Sequence, residues 1–156
     1  MTSDLHRRTF LATGAAGAVM LAGCGAEAPT PPTVLAVTAQ GSAGMNPGPD
    51  GADRPVTVSI LQLSGTAAFD GADYFALQDP AAALGSELVR AEQIVLAPGG
   101  SGARSIAVQP GVTAIGVTAG FRDPTGRTVR QRIAVPPAST GLSISVGRGG
   151  LTVSTG

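Results

Sequence analysis

The chain has 156 residues, enough for at most one ordinary domain, and its ten Arg are balanced by ten Asp and Glu with no Lys. That neutrality removes the basic footprint of a nucleic-acid binder. The missing Lys removes a Walker phosphate loop, and a single His (His6) and a single Cys (Cys24) leave neither a zinc cluster nor a disulfide framework.

Residues 1–23 read as an export signal. Met1 to Arg8 is polar and ends in Arg7-Arg8, and an apolar stretch runs from Thr9 to Ala22. Such a run makes a helix of roughly 21 Å, short of a bilayer core of about 30 Å. Leu21-Ala22-Gly23-Cys24 resembles the bacterial lipobox. The resemblance implies diacylglycerol on the Cys24 thiol, cleavage between Gly23 and Cys24, and acylation of the new amino terminus. Two or three acyl chains, at about 0.8 kcal/mol per buried methylene, make a durable anchor. Arg7-Arg8 with Phe10-Leu11 looks like a twin-arginine export signal, although His6 stands where Ser or Thr is usual; a Sec signal is the alternative. Gly25 follows the Cys in place of the Asp that resembles an inner-membrane retention signal. The expected location is therefore the outer membrane, facing the periplasm.

Cleavage removes His6 and leaves eight Arg and nine acids. Residues 24–33 form a lipidated Cys followed by a Pro-rich tether, whose nine residues from Gly25 span roughly 28 Å in polyproline geometry. From 34 to 156 the pattern is mostly of period two. Strands are expected at Val34–Ala39, Val56–Leu63, Gln93–Ala97, Arg104–Val108, Val112–Phe121, Val129–Val135 and Leu142–Val146, with a short last piece at Leu151–Val153. The fifth is apolar throughout, as suits a central strand. Seven to eight strands punctuated by Pro and Gly turns predict a mainly β chain folded as a two-sheet β-sandwich.

Residues 66–92 interrupt this rhythm with Ala and Leu and predict a short helical insert. Asp79-Pro80 offers an N-cap and a first-turn proline. Gly85 offers a stop, and Asp70 or Asp73 could cap a preceding turn. Phe69, Tyr74 and Phe75 are expected to fasten the insert onto the sandwich. Arg127, Arg130 and Arg132 read as a solvated basic strip guarding an edge strand, and Arg122-Asp123 as a turn with a surface ion pair.

Taken together, Leu61-Gln62-Leu63, Ala68 to Leu77, Leu84-Gly85, Val95 to Gly99, Gly116 to Asp123 and Val135-Pro136 resemble the TssJ family of type VI secretion lipoproteins. Asn46-Pro47 and the lipobox fit as well. The resemblance implies a transthyretin-like sandwich with a small helical insert. It also implies a structural role, linking the outer membrane to the periplasmic C-terminal region of TssM. Part of that contact is implied for the loop between the first two strands, here Met45, Asn46, Pro47, Gly48, Pro49, Asp50, Gly51, Ala52, Asp53 and Arg54. Composition alone reads this loop as a solvated turn. Pro47 and Pro49 limit its freedom, and Met45 offers an adaptable apolar contact. Two positions depart from the family: Leu61 replaces a common Tyr, and the strand after Phe121-Arg122-Asp123 lacks its frequent aromatic. Both read as packing substitutions.

No catalytic residue, metal ligand, cofactor or small-molecule substrate is assigned. A mature chain without His, Lys or a free thiol retains only scattered carboxylates and hydroxyls, with no evident cleft for a paired-carboxylate mechanism. The competing reading is a periplasmic transthyretin-like module that binds a small ligand or carbohydrate, which a deep apolar pocket or an aromatic platform would favour.

Overall fold

A computed structural model of the chain describes Gly25, residues 28–137 and residues 140–156. The expected export signal with Arg7, Arg8, Phe10 and Leu11, and the cleavage point at Gly23 and Cys24, lie outside the described residues. Among the described residues, eight strands build two four-stranded sheets. They are β1 (Val34–Gly41), β2 (Val56–Leu63), β3 (Leu88–Leu96), β4 (Ser101–Ala107), β5 (Ala114–Ala119), β6 (Arg130–Ala134), β7 (Gly141–Gly147) and β8 (Gly150–Thr155). One sheet runs β4-β1-β7-β8 and the other β3-β2-β5-β6. All pairings are antiparallel except β1 with β7.

Alternation explains the first sheet. In β1, Leu35, Val37 and Ala39 point inward while Val34, Ala36 and Thr38 remain exposed. Leu142, Ile144 and Val146 repeat the pattern in β7. They meet Val56, Val58 and Ile60 of β2 and Ile115, Val117 and Ala119 of β5 in one aliphatic core. The expected central strand is β5, buried throughout between β2 and β6. Gln62 and Ser59 are the buried polar residues of β2, and Gln62 is the deeper. Fully buried, it donates to the Ala107 carbonyl at 3.1 Å and accepts from the Gln109 N–H at 2.7 Å, tying the two sheets together.

The helical insert lies on the outer face of the second sheet. It consists of α1 (Ala67–Gly71), a 3-10 turn at Ala76–Gln78, α2 (Pro80–Leu84) and a second 3-10 turn at Gly85–Glu87. Asp79 caps α2 by accepting from Ala82 N–H, with Pro80 in the first turn. Asp73 accepts from Ala76 N–H at the first 3-10 turn. Asp70 caps nothing and lies within α1. The free N–H of Ala68 is instead satisfied by Glu87 from 19 residues away, at 2.9 Å. Phe69, Leu77 and Leu84 pack with Leu61 and Leu63 in a second apolar cluster. Leu61 is thus a packing residue beneath the insert.

The insert ends at Glu87, not near residue 92, and β3 starts five residues before the expected Gln93. Gly85, at φ 53°, breaks the helix. Beyond Glu87 the backbone gains more from pairing with β2, where Leu88 opposes Leu63 across a register shift and Arg90 opposes Gln62.

Candidate interaction site

The sandwich has two poles. The chain enters β1 at Val34, and the connection between β1 and β2 lies at the far end of that strand. The same far pole carries the β3–β4 turn, the segment from Gly120 to Val129 and the β7–β8 turn. Four contacts join them: Gly41 N–H to Gly100 O at 2.8 Å, Gly120 N–H to Thr57 O at 2.9 Å, Thr128 N–H to Gly149 O at 3.0 Å and Leu151 N–H to Thr128 O at 2.7 Å. Gly150, at φ 112°, lets the last turn approach Thr128; a Cβ there would sit 2.3 Å from the Thr128 carbonyl oxygen.

The β1–β2 loop is a miniature hairpin. Pro47 and Asp53 form an isolated antiparallel bridge, Gly48 N–H donates to Ala52 O at 2.8 Å, and Gly51 N–H donates to Gly48 O at 3.0 Å. Asp53 organises its base. One carboxylate oxygen accepts from Gly44 N–H at 2.6 Å, and the other from Asn46 N–H at 2.8 Å and Arg54 N–H at 3.2 Å. These donors, Asn46 first, hold the Asp53 carboxyl below its ordinary value of 3.8 despite some desolvation. At the tip, Asp50 pairs with Arg54 at 3.2 Å on an exposed surface, where such a pair is worth little.

Two expected contact residues are internal. Met45 has no exposed surface and belongs to the inter-sheet core, so it offers nothing to a partner from this position. Asn46 is also buried; it donates to Pro55 O at 3.1 Å and accepts from Arg122 N–H at 2.9 Å. Aliphatic Met45 drops into the space at the end of the sheets because a turn so rich in Pro, Gly and Asp has no other apolar plug. Pro47, Pro49, Asp50, Gly51, Ala52 and Arg54 remain exposed, with Gly48 and Asp53 half-buried.

The Arg residues expected to be solvated are bound. Arg127 donates to the Met45 carbonyl and lies 5.0 Å over the Phe121 ring. Arg130 donates to the carbonyls of Phe69 at 2.8 Å, Ala72, and Asp70 at 3.0 Å, gripping the end of α1. Arg132 pairs with Asp70 at 2.7 Å, and that partner lowers the Asp70 carboxyl. These arginines clamp the insert and the loop because helix-end carbonyls lie directly above β6 and need donors. Arg122 and Asp123 form no ion pair; Asp123 instead accepts from Thr125 N–H at 3.0 Å within its turn.

Tyr74 links the insert to this pole. Its hydroxyl donates to Phe121 O at 2.5 Å, and its partial burial raises the phenol above its ordinary value. Phe69 is buried as expected, but Phe75 is 74% exposed. Tyr74 and Phe75 are adjacent just ahead of the 3-10 turn, and they diverge, Tyr74 toward Phe121 and Phe75 toward solvent. These ties span 47 to 82 residues, so sequence spacing gives them no signature.

Other concavities are shallow. One of about 590 Å³ lies on the outer face of the first sheet and is lined by small and polar residues such as Thr38, Gln40, Ala103, Ser143 and Ser145. Another, of about 460 Å³, is lined largely by Gly, Ser and Thr near the β7–β8 turn. No aromatic side chain lines either of them, so neither is the aromatic platform that would favour a small-ligand reading. Among the described residues, no cluster of three or more His, Cys, Asp or Glu could hold a metal ion.

Comparison with known proteins accounts for this architecture. A family model described as "Type VI secretion lipoprotein, VasD, EvfM, TssJ, VC_A0113" matches residues 33–149. The type VI secretion lipoprotein TssJ1 from Pseudomonas aeruginosa superposes with a TM-score of 0.74 at 28% identity, covering 81% of this chain and 98% of that one. A chain of a structure described as a type VI membrane complex gives 0.69 at 26% identity, covering 80% and 99%. A chain of a structure described as the type VI secretion protein TssM C-terminal domain (869-1107) from EAEC gives 0.66 at 26% identity, covering 78% and 98%. No curated protein matches the chain. The protein therefore belongs to the TssJ family of type VI secretion lipoproteins.

Proposed function

We propose that this lipoprotein ties the outer membrane to the periplasmic C-terminal region of TssM, with lipid on Cys24 at one end and the β1–β2 loop at the other. The observation that carries the reading is the separation of the two poles. Eight residues of β1 place the tether's entry roughly 23 Å from the start of the loop. The tether therefore joins the sandwich at the pole opposite the loop. The loop itself is held by Asp53, Asn46 and Arg127, so little conformational freedom is lost when a partner meets its tip.

The related structures support the choice of partner. One matched chain comes from a structure described as a type VI membrane complex, and another from a structure described as the type VI secretion protein TssM C-terminal domain. The role is mechanical: no step of chemistry is required of the loop. Isolation of this protein from cell envelopes tests the reading. TssM is expected to accompany the wild type and to be depleted when residues 48–52 are replaced by Gly and Ser. Envelopes that yield the lipoprotein without TssM overturn it.

A further inference from the structure

We propose that the protein surface held by the β1–β2 loop continues across Arg122 onto Phe75 and Val95, so that the partner's docking segment carries an apolar side chain beside a carboxylate. This rests on the loop being a partner-binding element and extends it to a face that the loop does not include.

Large hydrophobic side chains are exposed at Val34, Phe75, Val89 and Val95, and Phe75 at 74% and Val95 at 66% are the most exposed. Val34 and Val89 begin their strands at the tether pole, whereas Phe75 and Val95 share the loop pole. Val95 opposes Thr57 in the sheet register. The Thr57 carbonyl accepts from Gly120 N–H at 2.9 Å, and a Cβ at Gly120 would lie 3.3 Å from Gln78 Oε1. Gln78 closes the turn that starts at Phe75, donating its backbone N–H to Phe75 O at 3.1 Å. The two apolar groups therefore occupy the same end of the same outer face.

The connection to the base of the loop runs through Tyr74 and the backbone of Phe121 and Arg122. Phe75 packs edge-on against Tyr74, with ring centroids 5.3 Å apart, and Tyr74 is fixed to Phe121 O. The next residue, Arg122, gives its N–H to the Asn46 side chain at the base of the loop. Arg122 is exposed, and among the described residues its guanidinium has no ion-pair partner, although the neighbouring Arg127 and Arg130 are both engaged. Phe75 is thus an exposed aromatic braced by Tyr74, which is tied through Phe121 and the Arg122 backbone to Asn46 at the base of the loop. Such a ring loses little side-chain entropy on contact, as at the centre of many protein interfaces.

Two measurements on the full chain in detergent, titrated with the TssM periplasmic region, test this. Phe75→Ser with Val95→Ser is expected to weaken binding about ten-fold, with the melting temperature close to wild type because both side chains are exposed. The chain has no Trp, so Phe75→Trp labelled with 5-fluorotryptophan gives a single fluorine resonance. That resonance is expected to shift and lose its solvent isotope effect when the TssM region binds. Binding that remains sensitive to replacement of residues 48–52, with an unmoved fluorine signal and an unchanged affinity for the double variant, overturns the extended surface and leaves the loop reading intact. No binding by the wild type overturns both.

Discussion

The Asp53 carboxylate accepts the Asn46 N–H at 2.8 Å, and this bond links the two sides of the β1–β2 loop at its base. The same carboxylate takes Gly44 N–H at 2.6 Å and Arg54 N–H at 3.2 Å, so a single side chain satisfies three backbone donors at the base of the loop. Its folded value lies below its unfolded value, chiefly through Asn46. The sign follows: its contribution is fully present above the unfolded value and is lost as pH falls through the folded one. Wild type should therefore lose stability relative to Asp53→Asn as pH drops below about 4, as read from melting curves between pH 7 and pH 3. A constant difference across that range counts against the role given to the charge.

Arg130 spans the end of α1 with three carbonyl contacts, and no other residue type has a fork wide enough for all of them. Arg130→Lys should lose most of this grip, and Arg130→Met should cost about 2–3 kcal/mol. Urea denaturation gives the loss. Hydrogen exchange should localise it to residues 67–87, and uniform protection throughout would rule out a local clamp.

Gly116 of β5 lies directly beneath the Phe69 ring of α1. A Cβ there would stand 2.8 Å from the Phe69 ring and 3.1 Å from Leu63 Cδ1. Gly116→Ala should destabilise by about 1–3 kcal/mol through overpacking. Adding Phe69→Leu should recover part of that loss, giving a coupled cycle. Strict additivity in the denaturation data would mean that the ring does not feel the methyl group.

How much of this could be read from the sequence depends on range. The period-two alternation of β1, β2 and β7 is local, and it places those strands within two residues of their observed bounds. Asp79-Pro80 and Gly85 are also local signals, and they mark α2 correctly. The partners of Arg130 lie 58 to 61 residues away, so its charge looks like a solvated strip until α1 is seen above it. Met45 misleads for a different reason. Its neighbours Asn46, Pro47 and Gly48 announce a turn, while its own burial is set by a gap at the end of two sheets that no local pattern encodes. Phe69 and Phe75 are of one residue type in one short insert, and helices of five residues or fewer give too little period to say which faces inward.

Cys24 is the expected lipid site, and its removal separates attachment from folding. Cys24→Ser should move the protein from the membrane fraction into the soluble periplasmic fraction with its melting temperature unchanged, because the sandwich begins at Val34. Since the acyl chains provide the whole of the proposed anchor, retention of Cys24→Ser in membranes would mean that another element holds it there.

The base and tip of the loop should fail in different ways. Met45 is a core side chain, and Met45→Ala should cost about 2–4 kcal/mol of stability by leaving a cavity at the end of the sheets. Where that variant is folded, its affinity for the TssM region should stay within about threefold of wild type, because Asp53 and Asn46 still shape the hairpin. Replacing residues 48–52 with Gly and Ser removes only exposed and half-buried groups, so stability should change by less than about 1 kcal/mol. Affinity should fall by an order of magnitude, as tip contacts and the rigidity supplied by Pro49 are both lost. Parallel urea titrations and binding isotherms separate the two. A Met45→Ala variant that keeps its stability but loses affinity would place the methionine in the interface, with the core contact seen here confined to the unbound protein.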